Sequence, residues 1–164
     1  MKFNIIVAID SDGGIAKNGN IPWSCKDDMN LFRRITIGGG NNAIVMGRKT
    51  HETIGRLLPN RHNIIISTQS QNIFPVDISV YSSLDTCLTD DGLSVYDEIF
   101  IIGGQMIYEQ CLTKYMNMCD KVYISEFHKS YNCDQTFPMD LISHLKYHIH
   151  PITYSDFDFY VLKV

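Results

Sequence analysis

Residues 98–108 read EIFIIGGQMIY, an apolar run that ends in two glycines and continues into a helical pattern. This pattern predicts a buried strand over Glu98–Ile102 and a helix from Gln105 to about Leu112. Glycines at such a junction let a ligand approach the backbone closely, and the first N–H groups of the helix suit a phosphate. The G-x-G-x-x-G motif of dinucleotide-binding proteins is absent. Taken alone, such a turn is more often structural than ligand-binding.

The same design occurs earlier in the chain. A predicted strand over Ala43–Met46 ends at Gly47, and the basic pair Arg48 and Lys49 leads into a short helix predicted over Thr50–Ile54. A basic pair after a strand suits the ribose phosphate that separates NADP from NAD. Two solvent-exposed basic residues in a loop are the plain alternative.

A third predicted strand, Asn63–Ser67, is followed by a second hydroxyl at Thr68. Sheets in α/β proteins bind ligands at the carboxyl ends of their strands, so three such strand ends predict a binding edge. Short apolar runs alternate with helical patterns throughout, which favours an α/β fold with helices on both faces of the sheet. The further predicted elements are strands over Asn4–Ile9, Ile78–Tyr81 and Lys121–Phe127 and helices over Asp27–Ile37 and Leu84 to about Thr89.

The end of the chain and two loops complete the outline. Residues Leu145–Ile152 and Phe157–Lys163 are typical of an antiparallel hairpin added to an otherwise parallel sheet. The loops Asp10–Asn20 and Lys129–Gln135 are long and polar, and we expect them to be mobile loops beside an active site.

Asp28 is the most informative single residue. On the predicted helix, Asp28, Leu31, Phe32 and Ile35 recur at the spacing of one face, so a carboxylate shares a stripe with three apolar residues. An unpaired buried carboxylate is costly, so Asp28 requires either a protein partner, as in an ordinary buried ion pair, or a ligand.

Two further residues near these elements have open interpretations. Ser24, three residues before Asp27, predicts a capping-box start for the helix. Arg61 follows a Pro-Asn turn and can clamp a substrate carboxylate in a bidentate manner, or it can be a solvated loop residue.

Composition excludes several classes of protein. The 164 residues suffice for one domain with a substantial core, and the net charge of −4 gives no footprint for nucleic acid. The apolar N-terminal run is too short to span a membrane. Five cysteines without a C-x-x-C pair predict free thiols and a cytoplasmic protein, and no histidine and cysteine spacing suggests a metal site.

These segments together resemble the dihydrofolate reductase family over essentially the whole chain. The residues that carry the resemblance are Ile21-Pro22-Trp23 with Asp28 and Phe32, Ile44–Thr50, Ile54–Arg56 with Leu58, Pro59 and Arg61, Asn63–Ser67, and Ile102–Gly104 with Tyr108. The resemblance implies one domain over residues 1–164, with a mixed, mainly parallel eight-stranded sheet, flanking helices and a C-terminal antiparallel hairpin. It also implies the reduction of 7,8-dihydrofolate by NADPH, through hydride transfer to C6 and water-mediated protonation of N5.

The resemblance also assigns roles to residues. Asp28 would anchor the pterin and Trp23 would hold a water, which makes these two the catalytic residues. The substrate would contact Ile6, Val7, Ala8, Asp28, Met29, Phe32, Ile54, Leu58, Arg61, Ile102, Tyr108 and Ser125. The cofactor would contact Ala8, Ile15, Ala16, Gly47, Arg48, Lys49, Thr50, Ser67, Thr68, Ile102, Gly103, Gly104, Gln105, Met106, Ile107 and Tyr108. Antifolates such as methotrexate or trimethoprim would also bind, and we expect a monomer with no nucleic-acid or membrane partner.

The sequence departs from the common family pattern beside the cofactor. Gln105 follows the glycine pair, where a small residue is frequent, and Met106 and Ser82 replace residues that are often basic near the adenosine phosphate. Two alternatives remain open: a pyrimidine reductase of riboflavin synthesis, which shares the fold, and a non-catalytic binding protein that retains it. Arg61 and the Trp23, Asp28 and Phe32 set favour folate.

Overall fold

The computed structural model describes residues 1–164. The strands are β1 (Phe3–Ile9), β2 (Gly14–Ala16), β3 (Ala43–Gly47), β4 (His62–Ile66), β5 (Ile78–Tyr81), β6 (Ile99–Gly103), β7 (Cys119–Phe127), β8 (Gln135–Thr136), β9 (Lys146–Thr153) and β10 (Phe157–Lys163). The α-helices are α1 (Lys26–Ile37), α2 (Arg48–Ile54), α3 (Leu84–Leu88) and α4 (Gln105–Lys114). Short 3-10 turns occupy Gln71–Ile73, Asp91–Val95, Met116–Met118 and Met139–Leu141. None of the helices combines the length and the apolar character that a membrane-spanning segment needs.

Eight of the strands form one mixed sheet in the order β5-β4-β3-β6-β1-β7-β10-β9. The first six strands in this order are parallel to one another. Strand β10 runs antiparallel to both of its neighbours, β7 and β9. The prediction of a mainly parallel eight-stranded sheet with a C-terminal antiparallel hairpin is confirmed.

Helices cover both faces of the sheet because its central strands are apolar on both sides. Along β1, Val7 packs into the large core under α3 and α4, whereas the next residue towards the N-terminus, Ile6, packs on the opposite face. That opposite face lies under α1, where Leu31 is buried and Phe32 is partly buried. The period-two alternation of a strand therefore divides neighbouring residues between two cores.

Helix α1 begins one residue earlier than predicted, at Lys26, and its N-cap is Cys25. No side chain caps the helix, so the predicted capping box of Ser24 and Asp27 is wrong. Side-chain capping acts from the N-cap position, and Ser24 lies before it. Asp28 consequently lies in the first turn of the helix.

Other boundaries differ from the predictions by a few residues. Helix α2 begins at Arg48 instead of Thr50, which places the basic pair inside its first turn. Helix α4 continues to Lys114, and strand β7 begins at Cys119. Ends of elements depend on caps and tertiary contacts more than on the local apolar pattern.

The two loops that were expected to be mobile are joined by a second, two-stranded sheet that the sequence did not reveal. In it β2 pairs with β8, with Gly14 opposite Thr136 and Ala16 opposite Gln135. Both strands are short, so neither has enough residues to show an alternating pattern. Mobility of these loops stays a prediction.

Candidate active site

Asp28 lies at the carboxyl edge of the sheet, half-buried in the first turn of α1. Burial raises the pKa of its carboxyl group, and a hydrogen bond with the Ser125 hydroxyl lowers that pKa in part. Ser125 is on β7, next to Ala8 on β1. The ion pairs of the structure do not include Asp28, so the ordinary buried ion pair is not its explanation.

Trp23 fixes the chain where it enters α1. Its ring lies 4.8 Å from the ring of Phe127 and 5.2 Å from that of Tyr131, measured between centroids. Leu31 of α1 belongs to the same apolar cluster. This packing holds the first turn of the helix, and therefore Asp28, against the sheet.

Arg61 is buried, with 8% of its surface exposed, so it is not a solvated loop residue. Its Nη1 atom donates a hydrogen bond to the Thr36 hydroxyl (3.0 Å), and its Nε donates to the Pro59 carbonyl (2.9 Å). Burial lowers the pKa of the guanidinium, and the nearby Arg33 and Arg56 lower it further. No acidic side chain pairs with Arg61.

Helix α1 therefore connects an unpaired carboxylate to an unpaired guanidinium. Asp28 lies in its first turn, and Thr36, which holds Arg61, lies in its last turn. With a rise of 1.5 Å per residue, these positions are about 12 Å apart along the helix axis. Such an arrangement fits a ligand with hydrogen-bond donors at one end and a carboxylate at the other.

The apolar residues expected around a substrate are only partly brought together. Ile6, Leu58, Phe32 and Ile54 pack in one cluster beneath α1. Ala8 lies in the adjoining cluster near Trp23. Met29 has 62% of its surface exposed. Val7 does not join them, because its side chain belongs to the core on the other face of the sheet.

The two glycine turns lie against each other. A Cβ atom on Gly104 would be 3.4 Å from the Thr50 hydroxyl, and one on Gly47 would be 3.9 Å from the Gly103 carbonyl oxygen. Gly103 has a φ of 128°, which favours glycine. The Tyr108 hydroxyl braces this turn by donating to the Ile6 carbonyl (2.9 Å).

The helix that follows the second turn offers its first N–H groups to a ligand. Gly104 is the N-cap of α4, and no side chain caps the helix. Met106 is exposed, and Ile107 is buried in the core. Ile102 is partly buried on the α1 side of the sheet. The free N–H groups and partial positive charge at this helix start suit a phosphate, and the two glycines have no side chains to block its approach.

The basic and hydroxyl residues lie along the neighbouring strand ends. Arg48 forms an ion pair with Glu52, whereas Lys49 is exposed. Ser67 is buried, and its hydroxyl accepts a hydrogen bond from the Gln69 backbone. Thr68 is exposed. All of these residues lie at the same edge of the sheet as the glycine turns, because β3 pairs in parallel with both β4 and β6.

The family profile described as dihydrofolate reductase matches residues 2–154 of this sequence. The chain belongs to the dihydrofolate reductase family. The dihydrofolate reductase of Aedes albopictus is 32% identical over 149 residues, which cover 84% of this chain and 79% of that protein. The enzyme of Bacillus subtilis strain 168 is 36% identical over 135 residues, which cover 82% of this chain and 74% of that protein.

A solved dihydrofolate reductase is similar in structure as well. The enzyme from Enterococcus faecalis, complexed with NADP(H) and RAB-propyl, has a TM-score of 0.81 and 25% identity to this chain. The match covers 99% of this chain and 95% of that one. The fold implied by the resemblance to the dihydrofolate reductase family is therefore confirmed.

The sequence did not reveal the residues that hold Arg61 in place in this member of the dihydrofolate reductase family. The Asn63 side chain bonds to the Leu58 backbone N–H and to the carbonyls of Leu58 and Arg61. Thr36 is completely buried and accepts from Arg61. The sequence signal for both residues was a polar side chain beside apolar ones, since Thr36 lies between two isoleucines and Asn63 precedes three.

Ile15 and Ala16, which were expected to contact the cofactor, lie on β2, where Ile15 is buried and Ala16 is partly exposed. Their position depends on Asp10, a second residue that the sequence did not reveal as important. Its carboxylate accepts hydrogen bonds from the backbone N–H groups of Asp12, Gly14 and Tyr131. Asp10 thereby joins the loop that contains β2 to the loop that precedes β8.

Proposed function

We propose that this chain catalyses the NADPH-dependent reduction of 7,8-dihydrofolate to 5,6,7,8-tetrahydrofolate, which supplies one-carbon metabolism and thymidylate synthesis. The observation that carries the proposal is a pair of unneutralised groups on one helix. Asp28 lies in the first turn of α1 without a cationic partner, and buried Arg61 bonds to the last turn of α1 without an acidic partner. Membership of the dihydrofolate reductase family supports the reaction itself.

The substrate complements these two groups. The N3–H and 2-amino groups of the pterin donate to the Asp28 carboxylate, and the glutamyl α-carboxylate binds the Arg61 guanidinium. Side chains of Ile6, Phe32, Ile54 and Leu58 contact the rings between these ends, since they form one cluster beneath α1. Met29, Ala8, Ile102, Tyr108 and Ser125 complete the proposed site, and Val7 contributes through its backbone.

The residues at the two glycine turns fit NADPH. The free backbone N–H groups at the uncapped start of α4 suit the pyrophosphate, as does the backbone of Gly103 and Gly104. A side chain at Gly104 would occupy this space, because its Cβ atom would approach the Thr50 hydroxyl. Arg48 and Lys49 are the cations for the ribose phosphate, with Ser67 and Thr68 beside them. The remaining proposed cofactor contacts are Ala8, Ile15, Ala16, Gly47, Thr50, Ile102, Gln105, Met106, Ile107 and Tyr108.

The protein contributes alignment and electrostatics to the reaction. When bound, NADPH supplies the hydride that C6 of the pterin receives. Asp28 orients the pterin, and its negative charge favours the protonated form, while a water near Trp23 delivers the proton to N5. Closure by residues of the loop 10–24 excludes bulk water from the two rings.

We further propose that the protein acts in the cytoplasm as a monomer and binds antifolates such as methotrexate or trimethoprim. Five free cysteines support a reducing compartment, and three of them are buried. A protonated diaminopyrimidine offers Asp28 the same paired donors as the pterin, with a positive charge in addition.

Product analysis tests the proposed function. Purified protein is incubated with dihydrofolate and NADPH, and tetrahydrofolate and NADP are quantified by mass spectrometry. We expect the two products in equal amounts, and inhibition of their formation by methotrexate. Absence of tetrahydrofolate from reactions of correctly folded protein would refute the proposal.

A further inference from the structure

Three neighbouring parallel strands end in a row at the proposed ribose-phosphate site. Gly47 of β3 pairs with Ile66 of β4, and Ile66 pairs with Tyr81 of β5. The residues that follow these strands, Arg48, Ser67 and Ser82, therefore lie side by side, and only Arg48 among them is charged. Recognition of a phosphate in this row rests on Arg48 and on Lys49 next to it.

Arg48 is already engaged by an acid. Its Nη1 atom lies 2.5 Å from Oε1 of Glu52, one turn later on α2. The Arg48 side chain is 36% exposed and that of Glu52 is 57% exposed, so both can also meet a ligand. A phosphate that approaches Arg48 must therefore share the guanidinium with a carboxylate of the same charge sign.

We propose that Glu52 sets the preference between phosphorylated and unphosphorylated cofactor by competing for Arg48. This inference rests on the proposed function, since it takes the ribose end of the cofactor to lie at this row. A ribose 2′-phosphate competes with Glu52 for Arg48 and is repelled by the carboxylate. A ribose 2′-hydroxyl carries no such charge and can donate a hydrogen bond to Glu52.

Two neighbouring side chains that could face the phosphate carry no charge to offset Glu52. Ser82 is uncharged and exposed after β5, and Met106 at the start of α4 has 71% of its surface exposed. Lys49 is exposed and has no acidic partner in the structure. The phosphate therefore meets two cations, Arg48 and Lys49, and only Arg48 is shared with a carboxylate.

Calorimetric titration of the ligand-free protein tests this role without a turnover reaction. Adenosine 2′,5′-bisphosphate and adenosine 5′-monophosphate serve as probes with and without the 2′-phosphate. Exposed ion pairs are weak, so we expect Glu52→Gln to tighten binding of the bisphosphate about threefold to fivefold. Binding of the monophosphate should change less than about twofold, because this probe does not use Arg48 through a 2′-phosphate.

Two further variants make the titration decisive. Arg48→Gln should remove most of the discrimination between the probes. Asp97→Asn removes the same charge at an exposed position before β6, at the opposite edge of the sheet, and should leave the ratio of the two dissociation constants unchanged.

An unchanged ratio of the two dissociation constants in Glu52→Gln would overturn the inference, and so would undiminished discrimination between the probes in Arg48→Gln. The wild-type protein is assayed in parallel for tetrahydrofolate formation. If it forms tetrahydrofolate while the Glu52→Gln ratio is unchanged, the inference fails and the proposed function stands. If it forms none, the proposed function fails.

Discussion

Asp28 lies half-buried without a cationic partner, and burial raises the pKa of its carboxyl group. The folded protein therefore binds this proton more tightly than the unfolded chain does. In the range above the ordinary value of 3.8, stability falls as the pH rises, and the cost persists at neutral pH. A ligand with two donors would relieve that cost, as expected for the binding role that we propose for Asp28.

Replacing Asp28 by Asn is expected to stabilise the ligand-free protein at neutral pH, because it removes a buried negative charge while keeping the shape. The difference in Tm between variant and wild type should shrink as the pH falls towards the ordinary aspartate value of 3.8, where Asp28 is protonated in the folded protein. Thermal unfolding at several pH values measures it. Asp27→Asn, at an exposed neighbouring position in the same first turn, is the matched control. An Asp28→Asn protein less stable than wild type at neutral pH would contradict this prediction.

Arg61 is expected to recognise the glutamyl end of the substrate and nothing else. Since a hydrogen-bonded charge pair contributes about 1.5–3 kcal/mol, Arg61→Leu should raise the KM for dihydrofolate about tenfold to a hundredfold. The KM for a dihydropteridine without the glutamyl tail should be unchanged. Steady-state kinetics with both substrates measures the difference. Equal losses for the two substrates would show that Arg61 supports the fold instead of the carboxylate.

At the scale of elements, Asp10 joins two loops that are far apart in sequence. It is 1% exposed, and burial alone would raise its pKa. Hydrogen bonds from the backbones of Tyr131, Gly14 and Asp12 and from the Cys133 thiol outweigh burial, so the pKa is lowered. Asp10 therefore stabilises the fold above the ordinary aspartate pKa, and this contribution is lost as the pH falls through the lowered pKa.

Asp10→Asn should destabilise the protein by about 2 kcal/mol, because an amide NH₂ group would face backbone donors that now meet an oxygen. Urea denaturation measures the free energy of unfolding, and hydrogen exchange should show faster exchange in β2 and β8. Asp12→Asn, at an exposed position in the same loop, should have little effect. Unchanged exchange in β2 and β8 would mean that Asp10 does not join the loops.

The elements that the sequence predicted well are those with local signals. Central strands such as Ala43–Gly47 are continuous apolar runs, and the glycine turns mark their ends. The pairing of β2 with β8 was missed because it depends on Asp10 and on contacts more than a hundred residues apart, as in the bond from Tyr131. The start of α1 was misplaced because Trp23 packing, and not a Ser24 cap, holds that end of the helix.

At the scale of the whole molecule, the fold buries some of the five cysteines and leaves others accessible to solvent. Cys87, Cys111 and Cys119 are buried, and Cys25 and Cys133 are partly exposed. Burial raises the pKa of Cys87 and of Cys119 to about 12. None of the five forms a disulfide. The sequence predicted free thiols, but not which ones the fold protects.

Alkylation with iodoacetamide at neutral pH is expected to modify Cys25 first and Cys133 more slowly in the native protein, since access and thiolate formation both decide reactivity. Burial and the hydrogen bond with Asp10 raise the pKa of the Cys133 thiol to about 11. The three buried cysteines should not react. All five cysteines should react after unfolding in urea. Peptide mass spectrometry identifies the modified positions. Rapid modification of Cys111 in the folded protein would show that the core under α4 opens readily.

We propose that Asp28 anchors the pterin of dihydrofolate through its negative charge, and the proposed function depends on this contact. The most direct test compares kcat/KM of wild type and Asp28→Asn for dihydrofolate with NADPH as a function of pH. Loss of a charge-assisted hydrogen-bond pair predicts a decrease of about a hundredfold or more at neutral pH, with a smaller deficit as acid protonates the substrate in solution. Equal kcat/KM in the two proteins across the pH range would contradict an anchoring role of the Asp28 charge.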